Sequence, residues 1–131
     1  MDELKPGLVG ESAWLITREL TAAAHGSGLV AAFATPALVA LMENASVNAI
    51  QKTLPPGQTS VGIEINVKHI AATPVGMRVR ARAEVIAVEG RRVTLKVEAW
   101  DDREKVGEGT HQRMVVDEAR FNERFQQKGM L

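Results

Sequence analysis

The chain has 131 residues, 45% of them hydrophobic and 24% charged, which suits one soluble domain with a real core. Sixteen Lys and Arg balance sixteen Asp and Glu, which argues against nucleic acid and anionic membrane as partners, since both reward a basic excess. Aromatics are only 4% with no Tyr, and Cys is absent, which argues against base-stacking platforms and removes disulfides, thiolate metal sites and a cysteine nucleophile.

Residues 1–13 hold Glu3, Lys5 and Glu11 and no apolar run, so no targeting segment is expected and a cytoplasmic location is the expectation. Residues 1–11 read as an extended lead with a turn at Pro6-Gly7. Residues 12–21 read as a first strand with Trp14, Ile16 and Leu20 on one face. His25-Gly26-Ser27-Gly28 marks a loop. Thr35-Pro36 predicts a helix start, with Thr35 as N-cap and Pro36 in the first turn. That helix should run to about Lys52, ahead of Pro55-Pro56-Gly57. It is apolar nearly all round, through Leu38, Val39, Leu41, Met42, Ala45, Val47, Ala49 and Ile50, so it should be wrapped by something else. The period then changes to two. Val61, Ile63, Ile65 and Val67 should face the core from one strand, Val79 to Ala87 in odd positions from a second, and Val93 to Ala99 from a third. A last strand spans residues 106–116, and Asp117 can cap a terminal helix carrying Phe121 and Phe125. Short connections between these four strands predict an antiparallel meander. The fold class expected is α+β over residues 1–131 as a single domain: a curved antiparallel sheet wrapped around one long central helix. Open sheet edges predict pairing with a second copy, as a homodimer or a dimer of dimers.

Three residues stand out. Glu43 is the only charged side chain between His25 and Lys52, and its helix neighbours are Val39, Ala40, Val47 and Ile50. A carboxylate there needs a cation, a polar pocket or a raised pKa, unless it reaches a helix edge and meets solvent. His69 continues the parity of Val61 to Val67, which offers an acid or base on the inner face, or a neutral imidazole satisfied by a carbonyl. Thr35 sits at a helix N-terminus, eight residues before Glu43, so the two can border one cavity. His111 alternates with Gly109 and Arg113 and reads as packed or exposed. A zinc site from His25, His69, His111 and Glu43 has no close ligand pair, so no metal or other cofactor is expected. Arg91-Arg92 lies at a turn, solvated or meeting a phosphate.

The chain resembles the hot-dog-fold acyl-CoA thioesterases, most closely the fluoroacetyl-CoA thioesterase-like branch. The matching stretches are Ala34-Thr35-Pro36, Leu41-Met42-Glu43-Asn44-Ala45, residues 67–76 (VKHIAATPVG), Val88-Glu89-Gly90-Arg91-Arg92, residues 108–113 (EGTHQR) and Arg120-Phe121-Asn122. The resemblance implies a hot-dog fold and hydrolysis of a small or medium acyl-CoA. It puts the catalytic Thr, Glu and His on Thr35, Glu43 and His69, the backbone N–H of Gly62 near the thioester, and Arg113 close to the pocket. It also implies a pocket between two subunits, so that Glu43 and His69 can come from different chains. With no Cys, Glu43 would attack the carbonyl or act as base for a water, and His69 would stabilise charge and deliver a proton. Thr35 would hold Glu43 or the substrate. A non-catalytic acyl-CoA or small-ligand binding protein is the alternative; a hydratase would need a different Asp/His motif.

Overall fold

Val79, Ala81, Ala83 and Val85 are buried while Arg78, Arg80, Arg82 and Glu84 face outward, and this alternation builds the middle of an antiparallel sheet. The computed structural model describes residues 3–130. Its strands are β1 (Val9–Leu15), β2 (Gln58–His69), β3 (Arg78–Glu89), β4 (Arg92–Trp100) and β5 (Lys105–Asp117). Its helices are α1 (Ala22–His25), α2 (Thr35–Ile50) and α3 (Glu118–Gly129), with short 3-10 turns at Arg18–Leu20 and Gln51–Thr53. The five strands form one sheet in the order β1-β3-β4-β5-β2. The core lies between the inner face of this sheet and α2, through Leu38, Leu41, Met42, Ala45 and Ile50 of the helix. On the outer face, Arg80 lies 5.2 Å over the Trp100 ring and Arg82 pairs with Glu84 at 3.0 Å, as the alternation predicts.

Four expectations need correction. Only β3, β4 and β5 form a meander; β2 lies at the far edge, beside β5. Residues 70–77 do not close a hairpin. They cross the sheet end, tied by Ile70 N–H to the Val106 carbonyl (2.8 Å), by Phe33 N–H to the Thr73 carbonyl (2.9 Å) and by Gly76 N–H to the Ile16 carbonyl (2.9 Å). The first strand ends at Leu15, because a 3-10 turn and α1 occupy residues 18–25. Parity also breaks twice, at bulges between Gly62 and Glu64 and between Val85 and Ala87. An extra residue flips every later side chain to the other face. Gly62 pairs with Arg113 and Ile65 with His111, so Gly62, Ile65, Val67 and His69 face inward, while Val61 pairs with Met114 on the outer face.

The helix is wrapped on one side only. Val39, Glu43 and Val47 are half-buried, and Ala40, Asn44 and Asn48 are exposed. On that open side Ser12 donates to Asn44 (2.6 Å) and Asn48 donates to the Glu11 carbonyl (2.7 Å), which bind α2 to β1. Gly10 lets the two elements touch. A Cβ there would meet the Ala45 carbonyl and the Ala49 amide of α2, backbone atoms that cannot swing away. Gly10→Ala should therefore destabilise the fold by about 3 kcal/mol. Urea unfolding measures this; an unchanged midpoint contradicts the contact.

Candidate active site

Thr35 is the first residue of α2 rather than its cap. Ala34 holds the N-cap position with no side-chain capping bond. The freed hydroxyl turns to the end of β2: Thr35 Oγ1 lies 2.8 Å from His69 Nδ1. The ring of His69 meets Phe33 edge-on, with centroids 6.1 Å apart. Its Nε2 is buried and has no hydrogen-bond partner, an unsatisfied polar atom of the kind that folded proteins rarely leave. Two tautomers fit the Thr35 contact, and each leaves Nε2 free, as a donor in one and as an acceptor in the other. A cleft of about 290 Å³ opens beside the pair, lined by Phe33, Thr35, His69 and Ile70.

Glu43 belongs to a second cluster. Its side chain is 42% exposed and its Oε2 accepts from Arg113 Nη1 at 3.5 Å. Arg113 is held from behind: Nε donates to Ser60 Oγ (2.8 Å), Nη2 to the Ser60 carbonyl (2.9 Å), and Nη1 lies 3.1 Å from His111 Nε2. His111 Nδ1 lies 2.8 Å from the Glu64 carbonyl. A carbonyl can only accept, so Nδ1 carries the proton and Nε2 accepts from the guanidinium. Gly62 makes room for the carboxylate. A Cβ at that position would stand 2.6 Å from Glu43 Oε2 and 3.1 Å from His111 Cε1. A cleft of about 240 Å³ opens over Glu43, Gly62, Ile63 and His111.

Of the alternatives open for Glu43, a cation and solvent both apply: Arg113 pairs with it and its side chain is partly exposed, while the imidazole beside it is that of His111, not His69. Within the chain no hydrogen bond or ion pair joins Glu43 to His69 or Thr35 among the described residues. Thr35 and Glu43 stand eight residues apart, about 12 Å along the helix axis, and line separate clefts. Sequence reasoning missed Ser60 and the role of His111. For His111 a signal was present, since Gly107, Gly109, His111 and Arg113 share one parity. Ser60 gave none.

Burial lowers the pKa of His69. Burial also lowers that of His111, aided by Arg113 and opposed by the Glu64 carbonyl and Glu43. A depressed folded value means that the unfolded chain takes up protons first as pH falls. Stability is then complete above the ordinary imidazole value of about 6.5 and is lost as pH drops below it. Thermal melts from about pH 7.5 to about pH 5 should show a falling Tm, with a shallower slope in His111→Gln. A flat profile contradicts the two neutral imidazoles.

The fluoroacetyl-CoA-specific thioesterase family matches residues 16–119. The fluoroacetyl-CoA thioesterase of Streptantibioticus cattleyicolor is 46% identical over 96 residues, 73% of this chain and 69% of that protein. The chain belongs to the fluoroacetyl-CoA-specific thioesterase family. Within that family, the structure of a threonine-to-alanine variant of fluoroacetyl-CoA thioesterase with fluoroacetate superposes at a TM-score of 0.89. It is 34% identical, over 95% of this chain and 98% of that one. A thioesterase superfamily member from Thermus thermophilus superposes at 0.90 with 27% identity, over 99% and 96% of the two chains. The fold is therefore the hot-dog fold, and membership makes the chain a thioester hydrolase. No helix among the described residues is long and apolar enough to cross a membrane.

Proposed function

We propose that this acyl-CoA thioesterase hydrolyses small or medium acyl-CoA thioesters at a composite site made by two copies of the chain. One copy supplies Glu43, with Gly62 and Arg113; the other supplies the Thr35–His69 pair. The observation that carries the reading is the separation of two incomplete half-sites. One has a carboxylate and no free imidazole; the other has an imidazole with an unpartnered nitrogen and no carboxylate. The edge that joins copies is β2, where Ile63 and Ile65 are 47% and 36% exposed and one side of the strand has no neighbour. Antiparallel pairing of two such edges brings the His69 end of one strand to the Gly62 end of the other. The enzyme works as a homodimer on this reading, in the cytoplasm.

Glu43 takes a proton from water as the water oxygen attacks the thioester carbon, or attacks that carbon itself to give a mixed anhydride that water then opens. In either route the C–S bond breaks, His69 Nε2–H donates a hydrogen bond to the departing sulfur, and the proton given up by water, carried by Glu43 or released when water opens the anhydride, ends on the thiolate. That hydrogen bond needs Nε2 protonated, which follows when the Thr35 hydroxyl donates to Nδ1. The backbone N–H at the Gly62 bulge faces the developing oxyanion. Arg113, fixed by Ser60 and His111, holds the carboxylate in its attacking position.

The test is thiol release from a panel of acetyl-, fluoroacetyl-, butyryl- and octanoyl-CoA. Catalytic release of free CoA is expected. Tight binding with no thiol release across the panel would overturn the proposal in favour of a binding protein. Fluoroacetyl-CoA is included because the Streptantibioticus relative is named for it.

A further inference from the structure

His111 takes no part in bond making or breaking, yet it is buried and both its ring nitrogens are engaged. Nδ1–H donates to the Glu64 carbonyl at 2.8 Å, so Nε2 is a bare acceptor, and Arg113 Nη1 donates to it at 3.1 Å. The same Nη1 faces Glu43 Oε2 at 3.5 Å. One guanidinium nitrogen therefore directs one hydrogen at the ring and the other at the carboxylate. Ser60 holds only the opposite edge of the guanidinium, through Nε and Nη2. The ring has little room to turn aside. Gly62 is so close that a Cβ there would stand 3.1 Å from His111 Cε1, and the buried Leu95 is its partner on β4.

A proton on Nε2 would reverse this contact. Two N–H donors, both on cations, would then meet at a buried site where like charges repel strongly. The imidazole is fixed at Nδ1, so the guanidinium has to move, and Glu43 loses its partner. The charged groups that face the ring are Arg113 on its own strand and Glu43 from α2. On this side β2 presents Gly62 and Ile65, with Glu64 paired to Gln112 on the outer face, and β4 presents Leu95. Burial, the largest influence, and Arg113 keep the imidazole pKa below its ordinary value, against the Glu64 carbonyl and Glu43.

We propose that His111 is a positioning residue for hydrolysis: its bare Nε2 aims Arg113 Nη1 at Glu43, and a proton taken up there releases Arg113 and lets the carboxylate leave its attacking position. This rests on the acyl-CoA reading above, in which Glu43 carries the chemistry.

The test is kcat/KM for thiol release from about pH 8 to about pH 5 in wild type, His111→Gln and His111→Leu. Wild-type kcat/KM should fall about tenfold per pH unit below a transition that lies under the ordinary imidazole value of about 6.5. Glutamine offers an amide oxygen near the place of Nε2 and takes up no proton, so in His111→Gln the fall should begin about one pH unit lower or more. Leucine offers no acceptor. His111→Leu should lower kcat at pH 8 about tenfold or more with KM within about twofold of wild type, and His111→Gln should recover most of that loss. His69 titrates in the same window but is present in all three proteins, so it cannot produce the difference. A merely structural His111 would shift the melts and leave the shape of the profile alone. Superimposable acid limbs in wild type and His111→Gln overturn the proposal, and this holds even if His111→Leu fails to fold. A second readout needs no turnover. The NMR signal of the Arg113 Nε–H, which Ser60 protects, should shift with the His111 titration in wild type and stay still in His111→Gln. An Arg113 signal that ignores the titration overturns the role of His111, whereas absent thiol release at pH 8 with a responding Arg113 signal overturns only the thioesterase reading.

Discussion

Glu43→Gln should lower kcat by about a thousandfold or more, the scale of losing a positioned base or nucleophile. The amide keeps the shape of the carboxylate and can still accept from Arg113, but it neither takes a proton from water nor attacks a thioester. The fold should survive. Glu43 is half-exposed, and Arg113 keeps Ser60 and His111 as partners, so the stability change should stay within about 1 kcal/mol. Glu43→Asp, which retains the charge but sets it back by one methylene, should recover part of the activity. The measurements are steady-state thiol release and a thermal melt on each variant. Wild-type turnover in Glu43→Gln would remove this residue from the chemistry.

Gly62→Ala should lower kcat/KM about a hundredfold with little change in stability, because a displacement near 1 Å is enough to spoil an attack geometry. The added methyl would stand 2.6 Å from Glu43 Oε2. That oxygen is the end of a flexible side chain, so it can move aside at small cost to folding. What it leaves is the position beside Arg113. The residue is constrained by space and not by backbone angle, since Gly62 is not among the glycines with positive φ. Serine at position 62 should be as damaging as alanine. A fully active, normally folded Gly62→Ala would show that the carboxylate position in the structure is not the working one.

The core was legible because burial enforces period. Leu38, Leu41, Met42, Ala45 and Ile50 on α2, and the alternating residues of β4, lie where their spacing puts them. What periodicity cannot show is an inserted residue. Ile63 and Ile86 are themselves β-branched strand formers, so each bulge hides within a run that still alternates by composition. The neighbour of β2 was also hidden, since residues 70–77 read equally well as a turn between adjacent strands. Pairing beside β5 depends on contacts distant in sequence.

The site was legible by chemistry more than by position. A lone acid on an apolar helix calls for a compensating group or for solvent, and Glu43 has both: Arg113 from 70 residues away and a partly exposed side chain. Thr35 at a helix start looks like a cap. Only the end of β2, which brings His69 within 2.8 Å, shows its hydroxyl engaged elsewhere. Within one chain His69 and Glu43 line separate clefts, and the pocket between two subunits that the resemblance implies is the arrangement that would bring them together.

Subunit complementation tests that division most directly. Glu43→Gln and His69→Ala, each inactive alone, are unfolded together and refolded as a one-to-one mixture. If Glu43 of one copy works with His69 of another, mixed dimers contain one site with both residues intact, and activity should return to about a quarter of wild type by random pairing. A mixture as inactive as its parents, in which mixed dimers have been verified, would contradict a site shared between chains.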